Sequence, residues 1–215
     1  MSFQKCKKMK KKEYLLIFSL ALLLVFSSIY GYIRFRNLHD IQSFLYALKK
    51  ETDVKIGYLE ALRDCRFYEM QLNGKRISHS SCVVDMHGYK RKISDVMPDN
   101  TLALRYSDMS CDVCVDSIVN RLNIYKDSIG LKSIVLLTNS QNTNYIRRFK
   151  KINRIDFNVY ILDETLDSVF EDIGMPYLFI YSPDNERMNN MFIPQKEELR
   201  LTDEYLHSVL LKYFD

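Results

Sequence analysis

Tyr14 to Ile33 reads "YLLIFSLALLLVFSSIYGYI", twenty residues without a charge. That is about what a helix needs to cross the hydrocarbon core of a bilayer, and few other structures are open to such a run. Tyr14 at one end and Tyr30 and Tyr32 at the other suit the two membrane interfaces. Ahead of the run lies "KCKKMKKK": the first twelve residues hold six lysines and no acid, against Arg34 and Arg36 just after the span. This excess predicts a cytoplasmic Lys-rich tail (1–12), a single transmembrane helix (13–33) in the cell (inner) membrane, and an extracytoplasmic, periplasmic remainder. A cleaved signal peptide is the rival reading, with Ser27, Ser28 and Gly31 as small residues near its end. The run is long for that, and no clean small-x-small site follows it. Both readings export the rest of the chain.

Export changes what charge and cysteine mean. The whole chain carries a formal +4, but beyond the lysine tail there are 25 basic and 27 acidic residues. The basic balance is therefore local to the N-terminus and gives no support for nucleic-acid binding. Leu38, Ile41, Leu45, Leu48, Leu59 and Leu62 recur at helical spacing, so 34–64 reads as a helical stalk. Thr52 and Lys55 interrupt the heptads; a homodimer through the stalk is the sharper expectation, a plain spacer the blander one.

Cys6 precedes the span and reads as a cytoplasmic thiol. Cys65, Cys82, Cys111 and Cys114 follow it, in a compartment where thiols oxidise and stay oxidised. Cys111 and Cys114 form the CxxC of "MSCDVCVDS". Three meanings compete: a redox-active pair, part of a zinc site built from all four thiolates, or a static structural disulfide. A structural zinc site usually shows two short cysteine spacings and here there is one, so no metal is expected. Asn73-Gly74 signals a hairpin whose strands could bring Cys65 and Cys82 together as a structural disulfide; the alternative is two isolated thiols, with Cys82 near the CxxC. His87-Gly88, between "CVVDM" and "YKRKI", signals a second hairpin.

From Thr101 the pattern is regular. "TLALRYS" reads as a buried strand and "CVDSIVNRLNIY" as a helix with Val115, Ile118, Val119, Leu122 and Tyr125 inward. "SIVLLT" is a strand, and "NTNYIRRFKKIN" a helix with Ile146, Phe149 and Ile152 inward. "FNVYIL" is a strand and "ETLDSVFEDI" a short helix, before strands at "YLFIY" and "MNNMFI". Thr202 caps a last helix with Leu206, Val209, Leu210 and Tyr213 inward. Strands alternating with helices predict an α/β domain, 65–215, with a mixed central sheet flanked by helices and an N-terminal hairpin. The CxxC falls between a strand and a helix. A helix N-terminus offers free N–H groups and partial positive charge, both of which stabilise a thiolate. Cys111 should be exposed, and Cys114, one turn in, shielded and able to resolve a mixed disulfide. Pro176 in "IGMPYLFIY" stands at a strand start, where its missing N–H costs the ladder nothing, and its bond to Met175 is a candidate for cis.

The strand, the "SCDVC", the helix, and "GMP" before a strand resemble the thioredoxin fold over roughly 82–215. With the hairpin, the anchor and the extra strand–helix pair between Cys111 and Pro176, the chain is similar to exported, membrane-anchored proteins of the TlpA and ResA type. The resemblance implies that Cys111 attacks a substrate disulfide, Cys114 resolves it, and Met175-Pro176 is the substrate-facing loop. It also implies an exported protein with a disulfide or dithiol as partner and a membrane or exported electron donor; no cofactor motif is present. The sequence departs from the pattern at Ser110, where an aromatic residue is usual, at Val113, where proline is frequent, and at Arg105, where thioredoxins bury an acid. A catalytically degenerate binding module in the cell envelope is the alternative these departures support. Asp108, Asp112 and Asp116 oppose the helix dipole, which points to an unstable thiolate and a reductant; Arg105 would offset this if it faced the pair.

Overall fold

A computed structural model describes residues 2–163, 166, 169–196 and 198–215. The chain divides into two units, Met1–Ala61 and Leu62–Asp215. Helix α1, Ser2–Leu72, makes up the first and supplies residues 62–72 to the second. From Tyr14 to Ile33 every residue is exposed, and this part of α1, with a mean hydropathy of 2.1 in its most apolar window, is long and apolar enough to cross a membrane.

The second unit is built on seven strands: β1 (Cys82–Val84), β2 (Lys90–Lys92), β3 (Thr101–Tyr106), β4 (Ile134–Thr138), β5 (Asn158–Leu162), β6 (Tyr177–Ser182) and β7 (Arg187–Phe192). Their order across the sheet is β2-β1-β5-β4-β3-β6-β7. β3, β4 and β5 are parallel; β1 joins β5, β6 joins β3 and β7 joins β6 antiparallel. The helices are α2 (Ile93–Val96), α3 (Asp112–Ile129), α4 (Thr143–Ile152) and α5 (Leu199–Tyr213). A parallel β3-α3-β4 unit beside an antiparallel β6-β7-α5 unit is the thioredoxin-like arrangement, with β5 and the β1–β2 hairpin added at one edge.

Alternation along the central strands explains the two cores. Leu102, Leu104 and Tyr106 of β3 face one side with Ile134 and Leu136 of β4 and meet Val115, Ile118, Val119 and Leu122 of α3. Ala103, Val135 and Leu137 face the other and meet Tyr177, Phe179 and Phe170. Strands buried on both faces read as continuous apolar runs, which is why β3, β4 and β6 are visible in the sequence. α3, α4 and α5 cover the first face; Cys65 and Leu72 of α1, α2, and the stretch bearing Leu166 and Phe170 cover the second. Burying each large aliphatic or aromatic side chain here contributes roughly 1.5–3 kcal/mol.

Three expectations are corrected. Residues 65–72 are helical, so Asn73-Gly74 ends α1 instead of turning a hairpin. Gly74 takes φ +83°, and its N–H donates to the Met188 carbonyl at 2.6 Å while the Met188 N–H returns to the Lys75 carbonyl. A left-handed glycine stops a helix as readily as it turns a hairpin. A Cβ at Gly74 would meet nothing nearer than Arg187 at 3.8 Å, so only backbone strain opposes it. Gly74→Ala should lower stability by about 1–2 kcal/mol in denaturant unfolding; an unchanged midpoint would show that this turn does not hold the end of α1. Second, α5 begins at Leu199 after Glu198, so Thr202 is a buried residue within the helix and not its cap. Third, Ile152 closes α4 on the outside, 65% exposed, whereas Ile146 and Phe149 are inward as expected. The His87-Gly88 hairpin is present as β1–β2, with Cys82 opposite Lys92. The short helix expected over 164–173 falls partly outside the described residues; of it, Leu166 and Phe170 lie in the core.

Candidate active site

β3 ends at Tyr106, and the next residues form a tight turn. The Ser110 N–H donates to the Ser107 carbonyl at 2.9 Å, and the Ser107 N–H donates to Ser110 Oγ at 3.1 Å. Ser110 is buried and has a structural task, closing the turn before the cysteine. Cys111 follows with extended backbone as the N-cap of α3. Its carbonyl accepts the N–H groups of Cys114 at 2.9 Å and Val115 at 3.0 Å. Cys111 is exposed and Cys114 half-buried.

The Cys111 thiol is held below the ordinary thiol range. The hydrogen bond from the Cys114 side chain contributes most, followed by the Cys114 N–H; partial desolvation opposes them, and the Val113 N–H and the Lys196 charge add to the lowering. Backbone donors at the start of α3 thus act as helix geometry requires. The downward shift runs against the direction expected from Asp108, Asp112 and Asp116; the side chain of Asp112 lies outside the described residues. Asp116 is engaged elsewhere, accepting from Asn153 Nδ2 at 2.9 Å.

Arg105 does not compensate from beneath the pair. It is fully buried, and it stands opposite Tyr177 in the β3–β6 ladder, on the face that carries Ala103 and Phe179 and away from α3. Its guanidinium lies 5.9 Å from the Tyr177 ring centroid and 3.4 Å from Asp172 Oδ1. Asp172 Oδ1 also accepts from Ser107 Oγ at 2.9 Å and from the Gly174 N–H at 2.9 Å. Desolvation would raise this carboxyl, but those two hydrogen bonds and Arg105 outweigh it and hold it below the usual carboxylate range. Ser107 Oγ in turn accepts from the Met109 N–H at 3.2 Å. One carboxylate oxygen therefore ties the turn before Cys111 to the loop before Pro176. The sequence carries no signal for this role of Asp172, which lies 65 residues from Ser107.

Pro176 is buried immediately before β6, as expected, and its bond to Met175 is trans. The Met175 side chain turns inward: its sulfur is 3.9 Å from Cys65 Sγ. Gln195 Nε2 donates to the same Cys65 sulfur at 3.1 Å. Burial raises the Cys65 thiol, with the Gln195 hydrogen bond acting against it. Gln195 and Lys196 also border a void of about 10 Å³ beside Cys114 and Ser117, so the segment after β7 forms a third wall of the site. Neither residue was legible as a site residue.

Cys65 and Cys82 are not joined, and their proposed pairing loses its basis with the hairpin. Cys65 sits in α1 against Met175, while Cys82 is on β1, with β5 and β4 between it and β3. The same separation keeps Cys82 from the CxxC and prevents the four thiols from meeting around one metal. Among the described residues, no group of three or more His, Cys, Asp or Glu is placed to hold a metal ion.

No protein-family model matches the chain, and no curated protein matches its sequence. Solved structures do match in fold. Peroxidoxin BcpB from Mycobacterium tuberculosis is 13% identical, with 65% of this chain and 97% of that one covered and a TM-score of 0.48. The thioredoxin domain of a thiol-disulfide oxidoreductase from Bacteroides vulgatus is 10% identical, over 60% of this chain and 99% of that domain, at a TM-score of 0.45. A thiol:disulfide interchange protein from Bacteroides sp. is 11% identical, over 63% and 90%, also at 0.45. At these identities the likeness is one of fold.

Proposed function

We propose that this chain is a membrane-anchored, extracytoplasmic thiol–disulfide oxidoreductase of the TlpA/ResA type that reduces disulfides in exported proteins. One observation carries the reading: an exposed cysteine at a helix N-cap, with its thiolate favoured by the cysteine one turn on. The Cys111 thiolate attacks one sulfur of the substrate disulfide; the S–S bond breaks and the other sulfur leaves as a thiolate. The Cys114 thiolate then attacks Cys111 Sγ, releasing the second substrate thiolate and closing a Cys111–Cys114 disulfide. Two electrons pass to the substrate, and a dithiol on a membrane or exported donor returns them. The Tyr14–Ile33 span supports anchoring, and the lysines before it support a cytoplasmic N-terminus.

Trapping tests this. Cys114→Ser should accumulate mixed disulfides through Cys111, visible as reductant-sensitive adducts on gels and absent from Cys111→Ser. If no adduct forms, and Cys111 resists alkylation in reduced and oxidised samples alike, the domain is a binding module.

A further inference from the structure

Many surface cations of the second unit are paired with acids. Lys75, Arg76, Lys90, Arg91, Arg121 and Lys126 each lie against a carboxylate. α4 and the turn after it are different. Residues 143–155 contain Arg147, Arg148, Lys150, Lys151 and Arg154 and no acid, in an exported portion that is otherwise slightly acidic. Among the described residues none of these five has a carboxylate within 4.0 Å. Arg147 donates only to the Met86 carbonyl at 3.3 Å and Lys150 only to the Phe157 carbonyl at 3.1 Å. Nearby acids are already used: Asp85 by Arg91 and by two backbone N–H groups, and Asp156 by Lys126.

Two hollows share Lys150. One, about 400 Å³, is bordered by Asp85, His87, Arg91, Asp95 and Tyr160; the other, about 510 Å³, by Arg147, Lys151, Arg154 and Asp156. Lys150 is partly buried, and desolvation lowers its ammonium against the weaker pull of Asp156. We infer that this surface docks an acidic segment of a partner protein. Arg147 and Lys151 lie one turn apart on α4, and Arg154 follows in the turn after the helix at φ +51°; with Lys150 they border one hollow. Four cations around one hollow suit a chain presenting several carboxylates, whereas one small anion engages one or two cations. The exposed apolar residues of α4, Tyr145 and Ile152, point about 150° away around the helix axis, toward Asp116 of α3. The cationic cluster thus lacks the apolar company with which an interfacial helix inserts into lipid. Asn153, bonded to Asp116, sets this surface beside the helix that carries the cysteines.

The inference does not depend on turnover, so binding tests it directly. The full chain, in nanodiscs of zwitterionic lipid, is titrated against a fluorescein-labelled decaglutamate peptide and followed by anisotropy. Binding should weaken at least tenfold between 50 and 200 mM salt. The triple variant Arg147→Ala, Lys151→Ala, Arg154→Ala should weaken it at least tenfold, with the rate of Cys111 alkylation unchanged as proof of folding. Lys49→Ala, Lys50→Ala on α1 should stay within twofold. Equal binding by the triple variant and the parent overturns the inference. So does loss of peptide binding in nanodiscs containing phosphatidylglycerol, which makes lipid the occupant. Full displacement by 10 mM inorganic phosphate also overturns it, by assigning a small-anion site.

Discussion

Asp172→Ala should destabilise the second unit by about 3 kcal/mol. Arg105 is fully buried, so loss of the Asp172 carboxylate removes a counter-charge 3.4 Å from a cation in the core. Removing one member of a buried pair typically costs about 3–5 kcal/mol; the Asp172 side chain keeps 26% of its surface in solvent, which places this case at the lower end. The reverse change is milder. Arg105→Leu removes the cation among Ala103, Tyr177 and Phe179 and leaves Asp172 with Ser107, the Gly174 N–H and water, for about 1 kcal/mol. Combining Arg105→Leu with Asp172→Asn should recover most of the loss seen in Asp172→Ala, because the buried charge and its partner go together. Urea unfolding of the full chain in detergent micelles, followed by near-ultraviolet circular dichroism of its tyrosines, measures all three. A greater loss from Arg105→Leu than from Asp172→Ala would reject this account of the pair.

The same pair has a pH signature. The Asp172 carboxyl is lower in the folded state than in an unfolded chain. Its contribution is therefore complete above the ordinary carboxylate value near 4 and is lost as pH falls through the folded value. Between pH 5 and 7 the gap between parent and Asp172→Ala should stay constant, and it should close below about pH 4. As it closes, the turn at Ser107 and the loop at Gly174 lose their common anchor. The active-site walls should then loosen before the sheet does.

What could be read from the sequence followed the reach of each interaction. β3, β4 and β6 were visible because strands covered on both faces are apolar throughout, and α3 because its inward residues repeat at helical spacing. The N-cap position of Cys111 followed from the junction between those two elements. The end of α1 was misread because Asn-Gly signals a left-handed glycine without saying what precedes it; Leu62, Cys65 and Leu72 at helical spacing point to the helix, and the shorter-range turn signal overrode them. The repeat continues through Ile152 and predicts it inward, but the helix ends there and the side chain is exposed. The walls of the site were beyond reach altogether. Asp172, Gln195 and Lys196 act on residues 65 to 130 positions away, and only the folded sheet brings them there.

Cys111→Ser should reduce disulfide exchange to background, a loss of about a thousandfold or more, since a nucleophile has no substitute. The informative changes are at Cys114. The hydrogen bond from its side chain does most to lower the Cys111 thiol, ahead of the backbone N–H groups and Lys196. Cys114→Ala removes that donor and should move the pH midpoint of Cys111 alkylation upward. Cys114→Ser keeps a hydroxyl donor at the same place and should move it less, although both variants lose the resolving thiol equally. Lys196→Ala should move it upward by the smallest amount, and that part should shrink with added salt because the charge acts across solvent. Iodoacetamide rates measured from pH 5 to 10 on the full chain give all four midpoints. If serine and alanine at position 114 shift the midpoint equally, the hydrogen bond is not what favours the thiolate, and the N–H groups at the start of α3 carry the effect instead.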